Sequence, residues 1–239
     1  MEIPRSVLKA VESVVDKFKP LSVFLYGSGA RRDAKKFGTD YEMGVIYRGK
    51  KISRMDLVKA NTDPAKARFY PFDYKDFRKH KAYVPFIDPL FFYELLTTAR
   101  TLAREKIVET LPKPSICVAD LIGEIGFEKG FAFAAFLDWR NGDLMMAKNH
   151  FSKSCLFGAR CLIILHQRKF PASYTEIIRL SKGKEFREWR GLLRQAMKIR
   201  LKPRTKLGKS DVFDNMAFLS SVREAITEVL KKKGNIRLL

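Results

Sequence analysis

The fold is decided by residues 24–45, which read FLYGSGARRDAKKFGTDYEMGV. An apolar and aromatic run, typical of a buried strand, ends at Gly27-Ser28-Gly29, and residues 41–47 form a second such run after a basic segment. A strand that ends in Gly-Ser and turns directly into a helix presents unpaired backbone N–H groups and a hydroxyl, which favour phosphate. The stretch therefore predicts two strands with an anion-binding turn between them.

Two carboxylates stand at the start of the second predicted strand. Asp40 and Glu42 are two residues apart, so strand geometry places both side chains on one face. Such like charges repel unless a cation lies between them, and oxygen ligands suit Mg²⁺. In a two-metal site, Mg²⁺ ions hold the attacking and leaving oxygens of a phosphoryl displacement. Asp73, in a third strand candidate, is the expected third ligand, with Asp63 and Asp76 as alternatives.

The first half of the chain alternates helical and strand patterns. Apolar residues recur at helical intervals over residues 3–19 and again over residues 90–108. Strand candidates lie between these helices, at residues 21–26, 41–47 and 67–74. Pro71 places the third strand at a sheet edge or a bulge, because proline has no backbone N–H to donate.

The second half reads as helical. After Pro112 and Pro114 the strand pattern ends, and long helical patterns follow. They cover about residues 115–138, 143–167 and 211–232. We therefore expect an α+β fold with two domains: residues 1–112, which contain the turn and the carboxylates, and a helical bundle over residues 115–239.

The composition narrows the class of protein. The chain has 239 residues, 46% of them hydrophobic, with 14 Gly and 10 Pro, which excludes collagen-like, low-complexity and wholly disordered chains. No apolar stretch is long enough for a transmembrane helix, and the first residues lack a signal-peptide pattern. The three cysteines form no CxxC pair, so we expect reduced thiols and a cytoplasmic protein.

The charge balance points to an anionic partner. Lys and Arg number 47 against 26 Asp and Glu, a formal net charge of +21. Such an excess favours nucleic acids, nucleotides or acidic surfaces as partners. A charge-rich thermophilic surface is the alternative, which the scarcity of Gln and Asn supports.

The order of these features resembles a known signature. An apolar strand, Gly-Ser, a basic helix and then Asp-x-Glu is similar to the pattern of the DNA polymerase beta-like nucleotidyltransferase superfamily. The pair Glu42-Met43 is similar to kanamycin nucleotidyltransferase and related aminoglycoside adenylyltransferases, with weaker matches at residues 139–141 and 165–168. The resemblance implies a mixed-sheet nucleotidyltransferase domain flanked by helices, a helical acceptor-binding bundle, and a dimer whose acceptor site lies between subunits.

The resemblance also implies roles for individual residues. Gly27 and Ser28 would hold the β- and γ-phosphates of a nucleoside triphosphate. Asp40 and Glu42 would ligate Mg²⁺ that bridges to the α-phosphate, with Asp73 as the third ligand.

Further roles rest on weaker matches. Arg31 is a candidate for neutralising the triphosphate, although a surface position on the helix fits it equally, and Arg32 is a weaker candidate. In the aminoglycoside enzymes a glutamate on the first bundle helix acts as the general base. The matching position here is Ala134, so Asp138 becomes the substitute base.

The sequence thus predicts a Mg²⁺-dependent nucleotidyltransferase. It would transfer AMP from ATP to an acceptor hydroxyl and release pyrophosphate, with positioning and charge neutralisation as the main sources of catalysis. The resemblance favours a small hydroxylated acceptor, whereas the charge favours RNA. The alternative is a non-catalytic nucleotide- or RNA-binding module of the same fold, such as an antitoxin-like partner.

Overall fold

The computed structural model describes residues 3–31, 40–82 and 88–239. The chain divides into two compact units, Met1–Pro114 and Ser115–Leu239. Most of the basic segment predicted to follow the Gly-Ser turn, including Arg32, lies outside the described residues.

Unit 1 is built around a mixed sheet. Its elements in chain order are α1 (Arg5–Phe18), β1 (Ser22–Tyr26), α2 (Gly27–Ala30), β2 (Tyr41–Tyr47), α3 (Arg54–Ala60), β3 (Ala67–Asp73), α4 (Tyr74–Phe77), α5 (Asp88–Thr98), β4 (Arg100–Arg104) and α6 (Ile107–Thr110). The described strands form a four-stranded sheet in the order β3-β2-β1-β4. Strand β1 is antiparallel to β2 and β4, and β2 is parallel to β3. The predicted α+β class is confirmed, and β3 lies at an edge, where Pro71 is tolerated.

The expectation of one helix over residues 90–108 is wrong. Helix α5 ends at Thr98, and Arg100–Arg104 forms β4 instead. Its sequence, RTLAR, contains residues that favour helices, yet it pairs with the open edge of β1, from Ser22 opposite Arg104 to Leu25 opposite Arg100. Sheet pairing therefore overrides the local preference for a helix. The pairing partner, β1, lies about 75 to 82 residues earlier in the chain.

Strand β1 forms the centre of unit 1, and all five of its residues are buried. Val23 and Leu25 face one side, where they pack in a cluster with α1 and α3. Phe24 and Tyr26 face the other side and join an aromatic cluster with Phe72, Phe77 and Phe92. Burial on both faces explains why β1 reads as a continuous apolar run.

Gly44 has a specific packing role in the aromatic cluster. It lies opposite Phe24 in the β1–β2 pair, and a Cβ at this position would overlap the Phe24 ring. The missing side chain lets that ring lie across β2, with its centroid 5.6 Å from that of Phe77 and 5.8 Å from that of Phe72. The glycine thus allows the sheet to pack closely against the aromatic side chains that cover it.

Unit 2 is helical. Its elements are α7 (Val118–Arg140), α8 (Leu144–Gln167), α9 (Tyr174–Leu180), a 3-10 turn (Lys184–Phe186), α10 (Arg190–Leu201) and α11 (Lys209–Lys233). The short loop after α7 ends at Asp143, whose side chain accepts the Met146 N–H at 3.1 Å and caps α8. Helices α7, α8 and α11 pack against one another and form the core of the bundle. Among the described helices, none has the length and hydropathy of a membrane span.

Charged side chains lie inside this bundle. Arg160 of α8 donates to Glu124 of α7 at 2.7 Å, and both side chains are buried. Glu128, one turn after Glu124, is 1% exposed. Burial, and next the Glu124 charge, raise the pKa of Glu128 well above its ordinary value. The folded protein therefore retains a proton at Glu128 that the unfolded chain releases as pH rises.

This retained proton predicts a pH-dependent effect of Glu128→Gln. Because the folded pKa is raised, the wild-type protein loses stability as pH rises above the unfolded pKa, by up to about 1.4 kcal/mol per pH unit. Glutamine resembles the protonated carboxyl and does not titrate. We expect Glu128→Gln to raise the free energy of unfolding at pH 8 more than at pH 5, measured by urea unfolding followed by circular dichroism.

The control is Glu188→Gln, which removes the same charge at an exposed position. It should change the free energy of unfolding by less than about 0.5 kcal/mol at both pH values. An equal loss of stability at pH 5 and pH 8 in Glu128→Gln would contradict the buried, protonated carboxyl.

Candidate functional site

The antiparallel pairing of β1 with β2 brings the Gly-Ser turn to the carboxylates. Tyr26, the last residue of β1, lies opposite Glu42. The chain then turns at Gly27, which has a φ of +65°, and enters α2 directly. A Cβ on Gly27 would overlap Oε2 of Glu42, so the carboxylate packs against the turn itself.

The turn has a backbone arrangement that suits an anion. A left-handed residue followed by helical residues directs successive N–H groups toward one side and forms a concave nest. Here Gly27 is the left-handed residue, Ser28 and Gly29 follow in α2, and the Arg31 N–H closes the turn by donating to the Gly27 carbonyl at 3.2 Å. Ser28 of this turn is half-buried and carries a hydroxyl. The predicted phosphate cradle thus has a suitable local geometry.

Asp40 and Glu42 do not stand alone on their face of the sheet. Arg68 of β3 lies in register with Glu42, and its Nη2 is 2.5 Å from Oδ2 of Asp40. The two side chains of this ion pair are 55% and 31% exposed, and solvent-exposed pairs contribute only about 0–1 kcal/mol. A cation, the Arg68 guanidinium, therefore lies beside the carboxylates in an ion pair that solvent screens.

The structure does not bring Asp73, the expected third ligand, to Asp40 and Glu42. In the parallel β2–β3 pair, Tyr41 lies beside Ala67 and Tyr47 beside Asp73. Six residue steps therefore separate Asp73 from the Asp40 end of the sheet, about 20 Å at the usual strand rise. The Asp73 side chain instead caps α4, accepting the N–H groups of Lys75 and Asp76 at 2.8 and 3.3 Å.

Asp73 also lies on the opposite face of the sheet from Asp40 and Glu42, because side chains alternate along a strand. Ala67 and Phe69 of β3 pack on the side covered by α1 and α3, whereas Phe72 packs on the opposite side, in the aromatic cluster. Asp73 lies on the same face of β3 as Ala67 and Phe69, whereas Arg68 lies on the same face as Phe72. The β3 residue beside Glu42 is therefore a cation and not the expected acid.

The remaining donor set fits one metal ion. Among residues 3–31, 40–82 and 88–239, no three or more His, Cys, Asp or Glu side chains come together as metal ligands, so the predicted three-carboxylate, two-metal site is not formed there. Asp40 and Glu42 still supply two carboxylates on one face. Mg²⁺ in phosphate-transfer sites is commonly held by one or two carboxylates together with substrate phosphates, and this pair fits that arrangement.

Arg31 is engaged inside the unit. Its side chain is 8% exposed, and its guanidinium forms an ion pair with Glu94 of α5. This pair joins the end of the Gly-Ser turn to the helix that covers the aromatic face. The predicted contact of Arg31 with a triphosphate would require the pair to rearrange, and it stays a prediction.

Two cations of unit 1 were not predicted as site residues from the sequence. One is Arg68, and the other is Arg54, whose guanidinium lies 4.7 Å from the centroid of the Tyr70 ring. Burial, and next the Glu42 charge, raise the pKa of Tyr26 well above its ordinary value, while Arg54 acts in the opposite direction. Tyr26 is therefore a neutral phenol beside the Glu42 carboxylate. No local signal identifies Arg68, because the β2–β3 register that places it beside Glu42 follows from the pairing of the strands.

Asp138, the predicted substitute base, belongs to unit 2. Its Oδ2 lies 2.7 Å from Nδ1 of His150, so α7 and α8 are joined there by a carboxylate–imidazole contact. Ala134 lies one turn before Asp138 on α7. Glu124 and Glu128 of the same helix are buried in the bundle and offer no acidic surface. The role of Asp138 stays a prediction.

Comparison with known proteins identifies the fold. No protein-family model matches the sequence, and no curated protein matches it. The structure is similar to that of spectinomycin adenyltransferase from Enterococcus faecialis, solved with ATP and spectinomycin, with a TM-score of 0.56 and 11% sequence identity. The match covers 93% of this chain and 100% of that chain. The chain therefore shares the fold of that protein along nearly its full length.

The close approach of Glu42 to the turn predicts the effect of Gly27→Ala. Gly27 and Gly49 both have left-handed φ angles, +65° and +83°, but a Cβ on Gly49 meets no atom within 4 Å. Both alanine variants incur backbone strain of about 1–3 kcal/mol. We expect Gly27→Ala to lower the free energy of unfolding further than Gly49→Ala, because it must also displace the Glu42 carboxylate.

Removing the Glu42 carboxyl provides the check. In a Glu42→Ala background, the difference between Gly27→Ala and Gly49→Ala should shrink, as measured by urea unfolding. A difference that persists unchanged in that background would rule out the packing of Glu42 against the turn.

Proposed function

We propose that the protein is a Mg²⁺-dependent nucleotidyltransferase that transfers AMP from ATP to an acceptor hydroxyl and releases pyrophosphate. The observation that carries this proposal is the packing of the Glu42 carboxylate against the Gly27-Ser28 turn. A nest for phosphate and a carboxylate pair for a metal ion thereby lie side by side. The similar fold of spectinomycin adenyltransferase, an enzyme solved with ATP, supports the same conclusion.

Each group in the site has a defined part in this reaction. The N–H groups and the Ser28 hydroxyl of the turn hold the terminal phosphates of ATP. Asp40 and Glu42 hold Mg²⁺, which when bound neutralises charge on the phosphates. The phenol of Tyr26 stays protonated beside Glu42, so it adds no negative charge where phosphate binds. Catalysis on this account is positioning and electrostatic stabilisation.

The proposed acceptor is a hydroxylated molecule, either a small compound or RNA. The structure of spectinomycin adenyltransferase contains spectinomycin together with ATP. A polycationic aminoglycoside needs a cluster of accessible acids, however, and two of the acids of α7, Glu124 and Glu128, are enclosed in the bundle. We therefore place uncharged or anionic hydroxyl compounds, including RNA ends, ahead of aminoglycosides as acceptors. Asp138 as general base and a homodimer stay predictions from the resemblance.

Asp40→Asn tests the proposed site against a matched control. The substitution removes a metal ligand while preserving side-chain size, so transfer of label from α-³²P-ATP with Mg²⁺ should fall by at least about 10²-fold. Asp73→Asn makes the same change at the far end of the sheet, and asparagine also caps helices. We expect Asp73→Asn to retain transfer activity.

The acceptors offered are total RNA and a panel of small hydroxylated compounds. Activity retained in Asp40→Asn would exclude the assigned metal ligands. Activity lost in Asp73→Asn, with its fold intact by circular dichroism, would contradict the separation of Asp73 from the site.

A second function is a nucleotide-binding module without turnover. The observation that favours it is Arg68, which stands beside Glu42 and pairs with Asp40, where a third carboxylate would strengthen metal binding. A protein that binds nucleotide through the turn and neutralises its carboxylates with Arg68 needs no metal ion.

Metal affinity separates the two functions and can be measured without turnover. Arg68→Gln removes the cation that competes for Asp40, so the affinity for Mn²⁺ in the absence of nucleotide should rise about 3- to 10-fold, consistent with an exposed pair of about 1 kcal/mol. Titration followed by electron paramagnetic resonance reports free Mn²⁺. Arg48→Gln, the same change at the far end of β2, is the control and should leave the affinity unchanged.

Two results would decide between the functions. Wild-type protein that binds Mn²⁺ more tightly with ATP than without it supports the transferase. Mn²⁺ binding that is absent in wild type and in Arg68→Gln, alongside measurable ATP binding, would favour the binding module.

A further inference from the structure

A second concave surface of unit 1 lies at the end of the sheet away from Asp40 and Glu42. It is an open cleft of about 610 Å³ between the end of β2 and helix α4. Its lining residues are Arg48, Gly49, Asp73, Tyr74, Lys75, Arg78 and Lys79. We refer to it as the basic cleft. The β2–β3 register puts about 20 Å between it and Asp40, so it is a separate surface.

The charge of the basic cleft is strongly unbalanced. Arg48, Lys75, Arg78 and Lys79 are all exposed, and in the described part of the chain none of them forms an ion pair with a carboxylate. Asp73 is the one acidic residue among the lining residues, and its Oδ1 already accepts two backbone N–H groups. Unpaired cations around a concave surface raise the local concentration of anions.

Tyr74 positions two of these cations. The Arg48 guanidinium lies 4.4 Å from the centroid of the Tyr74 ring, and the Arg78 guanidinium lies 5.7 Å from it. Cation–π contact restrains side chains that would otherwise be mobile in solvent. The two guanidinium groups are therefore held near one ring, and each presents a planar fork that matches phosphate oxygens.

These features indicate the class of ligand. A small nucleotide needs a concave site that buries most of its surface, whereas the basic cleft is open and its cations are exposed. Repeated phosphates spread over several cations, with planar groups on which bases stack, are the features of single-stranded nucleic acid recognition. We propose that the basic cleft binds single-stranded RNA through its phosphates and bases.

The test compares RNA affinity in matched variants of the full chain. Fluorescence anisotropy of a labelled single-stranded RNA of about 20 nucleotides is recorded from about 50 to 300 mM KCl. Arg48→Gln/Arg78→Gln should lower the affinity by more than about tenfold and reduce the slope of log K against log salt by about 1.4, since each single-strand phosphate contact contributes about 0.7. Lys231→Gln/Lys233→Gln removes the same charge from the end of α11 and should change neither value substantially.

A third variant tests the role of the aromatic ring. Tyr74→Ala retains every charge but removes the surface that holds the two guanidinium groups, so it should weaken RNA binding about 3- to 10-fold with little change in the salt slope. Thermal unfolding of each variant establishes that the fold is retained.

Three results would overturn the proposal. One is an equal loss of affinity in the α11 control, which would mean that net charge alone attracts RNA. Another is unchanged affinity in Arg48→Gln/Arg78→Gln. The third is equally tight binding of an RNA duplex of the same length, since a duplex offers no unstacked bases. The measurement needs neither ATP nor a metal ion, so it is independent of the proposed transferase activity.

Discussion

The structure of unit 1 depends on the antiparallel pairing of β1 with β2. This register puts Tyr26 opposite Glu42 and Phe24 opposite Gly44. The first pair delivers the chain into the Gly27 turn beside a carboxylate, and the second opens the space in which the Phe24 ring joins the aromatic cluster. A slip of one residue would reverse the faces of β2, move Glu42 to the side covered by α1 and α3, and dismantle both arrangements.

The charges of the protein fall into two groups with different consequences. Inside the units, two buried arginines are paired with acids: Arg31 with Glu94 and Arg160 with Glu124. Such buried pairs are costly to break and fix neighbouring elements relative to one another. On the surface of unit 1, exposed cations collect in places with few acids, such as the basic cleft. The net charge of +21 is thus a property of the surface rather than of the core.

Local sequence was sufficient for the elements whose pattern is strong. The strands beginning near residues 22, 41 and 67, and the long helices of unit 2, lie close to where the apolar periodicity predicts them. It failed at β4, because RTLAR has no strand pattern and becomes a strand only through its partner β1. Local sequence also did not predict the position of Asp73 relative to the carboxylates. That position depends on the direction of β3 in the sheet, which the sequence does not state.

By itself, the sequence determined the chemistry available: a Gly-Ser turn after a buried strand, two carboxylates two residues apart, and a large excess of cations. These follow from residue types and from the two-residue period of a strand, which are local properties. The tertiary structure alone decided which groups meet. Parallel pairing of β3 with β2 brings Arg68, not Asp73, to the carboxylates, and it gathers Arg48 and Arg78 around Tyr74. Contacts between residues distant in the chain depend on strand order and direction, which only the packed sheet fixes.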